Sequence, residues 1–163
     1  MRSVAIRLLA ACTLTLHAQQ ASDPFLQRLT GHWNASGTMG GDPVGYRINA
    51  SWVLNDRFLL IDLSDTAKVP QYQAQVYIGY DSLSERYVAH WLDSFGARFA
   101  ETLGYGTRTG DTLSFRFEYP DGPFINAFMF DPAARSWRMH CTTKNSKGDR
   151  VVFGDIRSEA VER

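Results

Sequence analysis

The chain has 163 residues with 17 basic and 17 acidic side chains, so its formal net charge is zero. Because phosphate recognition needs a basic surface, this balance argues against nucleic acid as a partner. The length suits one domain with a single sizeable core.

The first twenty residues have the order that is typical of a secretory signal peptide. Two arginines precede the uncharged run 8–16, and the small residue Ala18 follows it. The run is much shorter than the ~20 apolar residues of a membrane-spanning helix, so we expect no integral membrane association. We predict a secreted or periplasmic protein, cleaved after Ala18, with residues 19–163 as its single domain.

The two cysteines lead to separate expectations. Cys12 ends the sequence LAAC, which resembles the bacterial lipobox; a lipoprotein signal, with a lipidated Cys12, is the alternative to cleavage after Ala18. Cys141 is then the only cysteine of the exported domain, so no internal disulfide is expected. Since free cysteine is among the most buried residue types, we expect Cys141 in the core.

A short helix is predicted at the start of the domain, followed by strands. Pro24 suits the first helical turn, and Phe25, Leu26 and Leu29 share one face before Gly31 ends the helix. From Trp33 onward apolar residues alternate with a period of two, and turn sequences rich in Gly, Pro, Asn and Asp recur about every ten residues. The predicted strands are 33–39, 44–54, 57–65, 71–81, 86–93, 98–108, 112–119, 124–130, 136–145 and 150–157.

Ten short strands joined by hairpins predict an all-β fold. A sheet of this size removes its exposed edges by closing on itself, and such a barrel holds either side chains or one small ligand. We therefore expect an antiparallel barrel of eight to ten strands, closed at one end by the helix, with a two-sheet sandwich as the alternative.

The segment GYDSLSERYVAHWLDSFGA, residues 79–97, contains the densest set of chemically interesting side chains. On the strand 86–93, Trp91 and Asp93 share one face and His90 lies on the other. A local acid–base pair of His90 and Asp93 is therefore excluded unless a bulge intervenes. We expect Asp93 to cap the following turn, with a cavity mouth as its alternative location.

The motifs GHWNASG, NDRFLLID, YIGYDSLSERYVAHWLDSFG and GDTLSF resemble a secreted bacterial family known as domain of unknown function 1579. This resemblance implies a lipocalin-like barrel of the calycin type and no established reaction. Gly31-x-Trp33 is also similar to the opening motif of the lipocalins, in which the tryptophan plugs one end of the barrel beneath an arginine of the last strand. The resemblance assigns that arginine to Arg157.

The function that we predict is reversible binding of a small hydrophobic or amphipathic molecule inside the barrel, without a cofactor. Ligand pockets are lined mainly by apolar and aromatic groups. An ionised group in such a pocket must be paired, hydrated or liganded, so an inward-facing one would mark a site. Glu101 and Asn126 are candidate polar groups of the interior. The predicted ligand-binding residues are Trp91, Phe115, Phe117 and Phe128 as lining and Arg98 or Asp93 as the orienting group.

Two other functions stay open. An enzyme would need His90 or His140 near a carboxylate and a nucleophile, but the chain has no Gly-x-Ser-x-Gly sequence and we assign no catalytic residue. The barrel also resembles the nitrobindin-type haem proteins, in which a late histidine ligates iron. His140 shares its parity with Arg138 and is expected to face outward, and no two histidines have metal-ligand spacing, so no metal site is assigned. Besides ligand binding and catalysis, the remaining possibility is that the barrel is filled with side chains and acts as a structural or interaction module.

Overall fold

The structure of the protein is a computed structural model that describes residues 23–161. The predicted signal peptide, 1–18, and Cys12 lie outside the described residues. Within the described part, one short helix precedes ten strands and a single turn of 3-10 helix.

The ten strands form one closed antiparallel barrel. Each strand pairs with its neighbour in sequence, and the first strand pairs with the last, so the predicted all-β barrel is confirmed and the sandwich is excluded. The strands are β1 (Gly31–Met39), β2 (Asp42–Val53), β3 (Phe58–Asp65), β4 (Gln73–Asp81), β5 (Arg86–Asp93), β6 (Leu103–Thr109), β7 (Thr112–Tyr119), β8 (Gly122–Asp131), β9 (Ser136–Lys144) and β10 (Arg150–Ala160).

The helix α1 (Pro24–Leu29) covers one end of the barrel, which we call the base. Oδ1 of Asp23 caps the helix by accepting from the backbone N–H groups of Phe25 and Leu26 at 2.8 and 2.9 Å. The hydroxyl of Tyr87, at the start of β5, donates to the other oxygen of Asp23 at 2.6 Å. These bonds attach α1 to the wall, and the opposite end, where β5 finishes, is the mouth.

Side chains fill the lumen below the mouth. Leu113, Phe115, Phe128 and Trp137 are 0–1% exposed, so a water molecule does not fit beside them. The free thiol of Cys141 lies in the same core, as expected. The lumen is therefore packed from the base to about the middle of the strands.

The glycines of β6 allow this packing. A Cβ added at Gly104 would lie 2.5 Å from the ring of Phe117, and one at Gly106 would lie 2.6 Å from the ring of Phe115. The two phenylalanines of β7 therefore cover β6 at a distance that only glycine permits.

The predicted role of Arg157 is wrong. Ile156 and Ser158 point into the barrel and are buried, so the residue between them lies on the outer face, where Arg157 is exposed. Trp33 does occupy the base, but its ring meets that of Trp137 edge-on at 6.1 Å and its Nε1 donates to the carbonyl oxygen of Leu29 at 2.9 Å.

The strand predicted at 98–108 begins five residues later than expected. The alternation of apolar and polar residues fails at Ala100 and Glu101, and the chain leaves the wall between β5 and β6. This segment contains the 3-10 turn Ala97–Phe99. Arg98 consequently lies in an exposed connection near the mouth instead of facing the lumen from a strand.

Candidate functional site

Lumen-facing side chains become accessible near the mouth. On β7, Phe117 is 2% exposed, whereas Tyr119, two residues nearer the mouth, is half-buried. Trp91 and Asp93 lie on the last two lumen-facing positions of β5, as their shared parity predicts, and both are half-buried. The mouth is therefore the place where the interior meets solvent.

Asp93 is the polar centre of the mouth. Its Oδ1 accepts from the backbone N–H of Phe95 at 3.0 Å, which confirms the predicted turn cap. Its Oδ2 accepts from the hydroxyl of Tyr72 at 3.3 Å, and that hydroxyl accepts from Nε1 of Trp91 at 3.1 Å. One carboxylate thus caps a turn and ends a chain of hydrogen bonds that starts at the indole.

Two tyrosines of the mouth remain protonated well above neutral pH. Burial raises the pKa of Tyr72, and the charge of Asp93 acts in the same direction, partly offset by the N–H of Trp91. Burial also raises the pKa of Tyr119, with further contributions from the charges of Asp93 and Asp121. Both hydroxyls therefore keep their hydrogens at physiological pH, and Tyr72 donates to Asp93 while Tyr119 donates to the carbonyl oxygen of Phe99.

Aromatic rings surround this centre on both sides. The ring of Tyr72 lies 6.0 Å from that of Tyr46 and 5.4 Å from that of Phe95, which is 69% exposed. A second set of rings forms a chain of pairwise contacts from the β5–β6 connection to β10: Phe99, Tyr119, Phe124 and Phe153. We call Tyr72, Trp91, Asp93, Phe95 and Tyr119 the mouth site.

The carboxylate of Asp93 has no ion-pair partner. In the part of the chain that the structure describes, no Lys, Arg or His nitrogen lies within 4.0 Å of it. Arg98, the other predicted orienting group, is exposed and places its guanidinium 5.3 Å from the centre of the Phe99 ring. The structure does not bring these two predicted polar residues together.

The three predicted phenylalanines lie deeper than the mouth site. Phe115, Phe117 and Phe128 are 0%, 2% and 1% exposed, and the rings of Phe115 and Phe128 meet edge-on at 6.1 Å. They are core residues in this structure, and their contact with a ligand remains a prediction. Tyr72 and Tyr119 were not predicted as site residues, although Tyr119 shares its parity with Phe117 and Tyr72 has the inward parity of the predicted strand 71–81.

The histidines that an enzyme would require face outward. Nε2 of His90 lies 2.8 Å from the carbonyl oxygen of Ala100, and Nδ1 of His140 lies 3.1 Å from Oδ2 of Asp155. Asp155 also accepts from the guanidinium of Arg138. His140 therefore has a carboxylate partner, but among residues 23–161 no hydroxyl or thiol bonds to either imidazole ring. Over the same residues, no group of three His, Cys, Asp or Glu side chains could hold a metal ion.

Two cavities among the described residues lie away from the mouth. One, of about 410 Å³, is at the base beside α1, where Arg28 already pairs with Asp111 at 2.6 Å and lies over the ring of Phe130. The other, of about 340 Å³, is a mainly apolar groove on the outer wall. Its polar side chains are already bonded, His90 to the carbonyl oxygen of Ala100 and Tyr77 to Gln75. The base cavity is also lined by Arg135. Neither cavity contains a predicted ligand-binding residue, so we take the mouth as the candidate site.

None of the helices in residues 23–161 is both long enough and apolar enough to cross a membrane.

Comparison with known proteins gives a family but no activity. No curated protein matches the chain. A family model described as protein of unknown function (DUF1579) matches residues 18–151, which is most of the chain, so this protein belongs to the DUF1579 family.

Proposed function

We propose that the protein binds a small amphipathic molecule at the mouth of the barrel. The observation that supports this proposal is the combination of accessible aromatic rings with one half-buried carboxylate. Small-molecule sites are concave, mainly apolar, and contain few polar groups, which orient the ligand. The mouth site has this composition.

The packing of the lumen limits the depth at which a ligand binds. Because the side chains below the mouth leave no space for water, the apolar part of the ligand would rest against Phe95 and Tyr119, with its polar group near Asp93. Contact with the deeper phenylalanines would require the core to open. A site that is open to solvent on one side should bind weakly, with a Kd of about 10 µM to 1 mM.

The proposal can be tested with a matched pair of surface substitutions. Phe95→Ala removes an exposed ring of the mouth site, whereas Leu83→Ala removes an exposed apolar side chain, 96% accessible, from the β4–β5 turn at the base. Both positions are exposed, so neither change should unfold the barrel. A panel of octyl and benzyl amphiphiles, below their critical micelle concentrations, would be titrated into each variant by isothermal calorimetry and NMR.

We expect at least one panel compound to bind the wild-type protein and the Leu83→Ala variant equally. Phe95→Ala should weaken this binding about three- to tenfold, because contact area with one aromatic ring is lost. If no compound binds, or if both variants bind like the wild type, the mouth is not a ligand site. The first result would favour the filled barrel as a structural or interaction module.

We also propose that the protein is exported, on the basis of the leader sequence. The N-terminal residue of protein recovered from its native host distinguishes cleavage after Ala18 from lipidation at Cys12.

A further inference from the structure

We propose that the ligand of the mouth site is a cation: an amphipathic ammonium compound whose protonated or quaternary nitrogen binds between Asp93 and the surrounding rings. This inference rests on the proposed function and specifies the chemical class of the ligand. It depends on three features of the site, which are its uncompensated carboxylate, its ring faces and the sign of the nearby charges.

The first feature is the carboxylate of Asp93. It is half-buried, it lacks an ion pair among the described residues, and its two hydrogen bonds leave acceptor capacity on both oxygens. The 3.3 Å bond from the Tyr72 hydroxyl to Oδ2 is longer than is usual for O–H···O bonds, so it compensates the charge only in part. A charge that is partly removed from water favours a counter-ion.

The second feature is the arrangement of aromatic rings around that charge. Tyr72 bonds directly to Asp93, Trp91 bonds to Tyr72, and Phe95 packs against the ring of Tyr72 at 5.4 Å. Ring faces attract cations within about 6 Å of their centres, and quaternary ammonium groups are commonly recognised by such sets of rings. The indole N–H and the phenol O–H point along the hydrogen-bond chain. The ring of Phe95, whose backbone N–H bonds to Asp93, is 69% exposed and offers an accessible aromatic surface beside the carboxylate.

The third feature is the sign of the charges that face the site from neighbouring elements. Asp121, between β7 and β8, lies close enough to Tyr119 for its negative charge to raise the pKa of that residue, as the charge of Asp93 does. Asp65, at the end of β3, accepts from the backbone N–H of Tyr72 at 2.6 Å. Of the nearby cationic side chains, Arg98 places its guanidinium over the ring of Phe99 and makes no ion pair with Asp93. The charge of Arg47 lowers the pKa of Asp65. Asp65 is bound by three backbone N–H groups, so Asp93 and Asp121 are the carboxylates that count here. An anionic headgroup beside Tyr119 would be repelled by both, whereas a cation would be attracted by both.

The test uses probes that share an apolar part and differ in charge. Octyltrimethylammonium, octanol and octyl sulfate form one series, and benzyltrimethylammonium and benzyl alcohol form a second. At low ionic strength we expect the ammonium member of a series to bind about tenfold more tightly than the neutral member, with the sulfate weakest. Raising the salt concentration should reduce this preference.

Asp93→Asn is the decisive variant, because asparagine keeps the size of the side chain and one acceptor oxygen for the backbone N–H of Phe95 but removes the charge. Its amide nitrogen donates and does not accept, so the Tyr72 hydroxyl loses this acceptor in the variant. The matched control is Asp131→Asn, which neutralises another turn-capping aspartate at the base, where Oδ1 accepts from the backbone N–H groups of Ala133 and Ala134 at 3.0 Å. We expect the preference for ammonium to fall below about threefold in Asp93→Asn and to remain in the control.

The possible failures are distinguishable. Equal binding of the ammonium and neutral probes to the wild type, or an ammonium preference that survives Asp93→Asn, would overturn this inference while leaving an amphiphile site at the mouth. A protein that binds no member of either series would overturn the proposed function as well.

Discussion

Gly104→Ala tests whether the barrel is filled below the mouth. The added Cβ would lie 2.5 Å from Cζ of Phe117 and 2.7 Å from both Cε atoms of the same ring. Carbon atoms pack best at about 3.5–4.0 Å, so the ring would have to move by about 1 Å. It has little room, because Phe117 is buried and its ring stacks on that of Tyr119 at 6.1 Å.

The magnitude follows from two opposing contributions. Overpacking a filled core costs about 1–3 kcal/mol. Replacing glycine by alanine returns about 0.4–1 kcal/mol by restricting the unfolded chain. We therefore expect Gly104→Ala to lower the free energy of unfolding by about 1–2 kcal/mol, or the Tm by about 3–10 °C for a domain of this size.

Thermal and urea unfolding, followed by near-ultraviolet circular dichroism, would measure the effect. Gly45→Ala in β2 is the control, because its nearest neighbour is the side chain of Thr66, an exposed residue, at 3.1 Å. Adding Phe117→Leu to Gly104→Ala should restore part of the lost free energy of unfolding, because the smaller side chain removes the ring that the new Cβ would meet. A Gly104→Ala protein as stable as the wild type would show that the ring has space, and the conclusion that ligands stop at the mouth would then fail.

Two predictions concern the alkaline side of the stability curve. Burial raises the pKa of the Cys141 thiol to about 12 from 9.0, so the folded protein holds this proton more tightly than the unfolded chain does. The resulting contribution to the free energy of unfolding is complete below pH 9 and is lost as the pH rises toward 12. Cys141 should accordingly resist a thiol reagent at pH 8 in the folded protein and react at once in urea, and rapid labelling of the native protein would contradict its core position. Burial and the hydrogen bond to Asp23 raise the pKa of Tyr87 to about 12 from 10.0, so Tyr87→Phe should reduce the stability lost between about pH 10 and 12. Unfolding curves recorded from pH 8 to 12 that are parallel for wild type and variant would refute the assignment.

Most of what the sequence predicted correctly came from the alternation of residues between the two faces of a strand. The shared face of Trp91 and Asp93 and the outward directions of His90 and His140 follow from a period of two on an uninterrupted strand. The same rule places Tyr119 on the face of Phe117, two residues away on β7. The sequence does not show which end of the barrel is open, so Tyr119 could not be distinguished from a core residue.

Other parts of the site depend on interruptions of that period. Phe95 and Phe99 lie in the irregular connection between β5 and β6, where no repeat predicts direction. Phe153 lies at a register shift between Val152 and Gly154 of β10, which changes the face that each residue presents. These aromatic residues surround the mouth, so the candidate site was less predictable from the sequence than the barrel that supports it.

The pairing of β1 with β10 has a kinetic consequence. The hairpins from β1 to β10 can form from contacts between neighbouring segments, but the pair that closes the barrel joins the two ends of the domain, from Trp33 opposite Ala160 to Met39 opposite Gly154. Until that pair forms, the edges of β1 and β10 expose backbone groups that can pair with other chains. Because this pairing has the largest sequence separation in the barrel, we expect its formation to be the slowest step of folding, and conditions that delay it to increase aggregation of newly made chains.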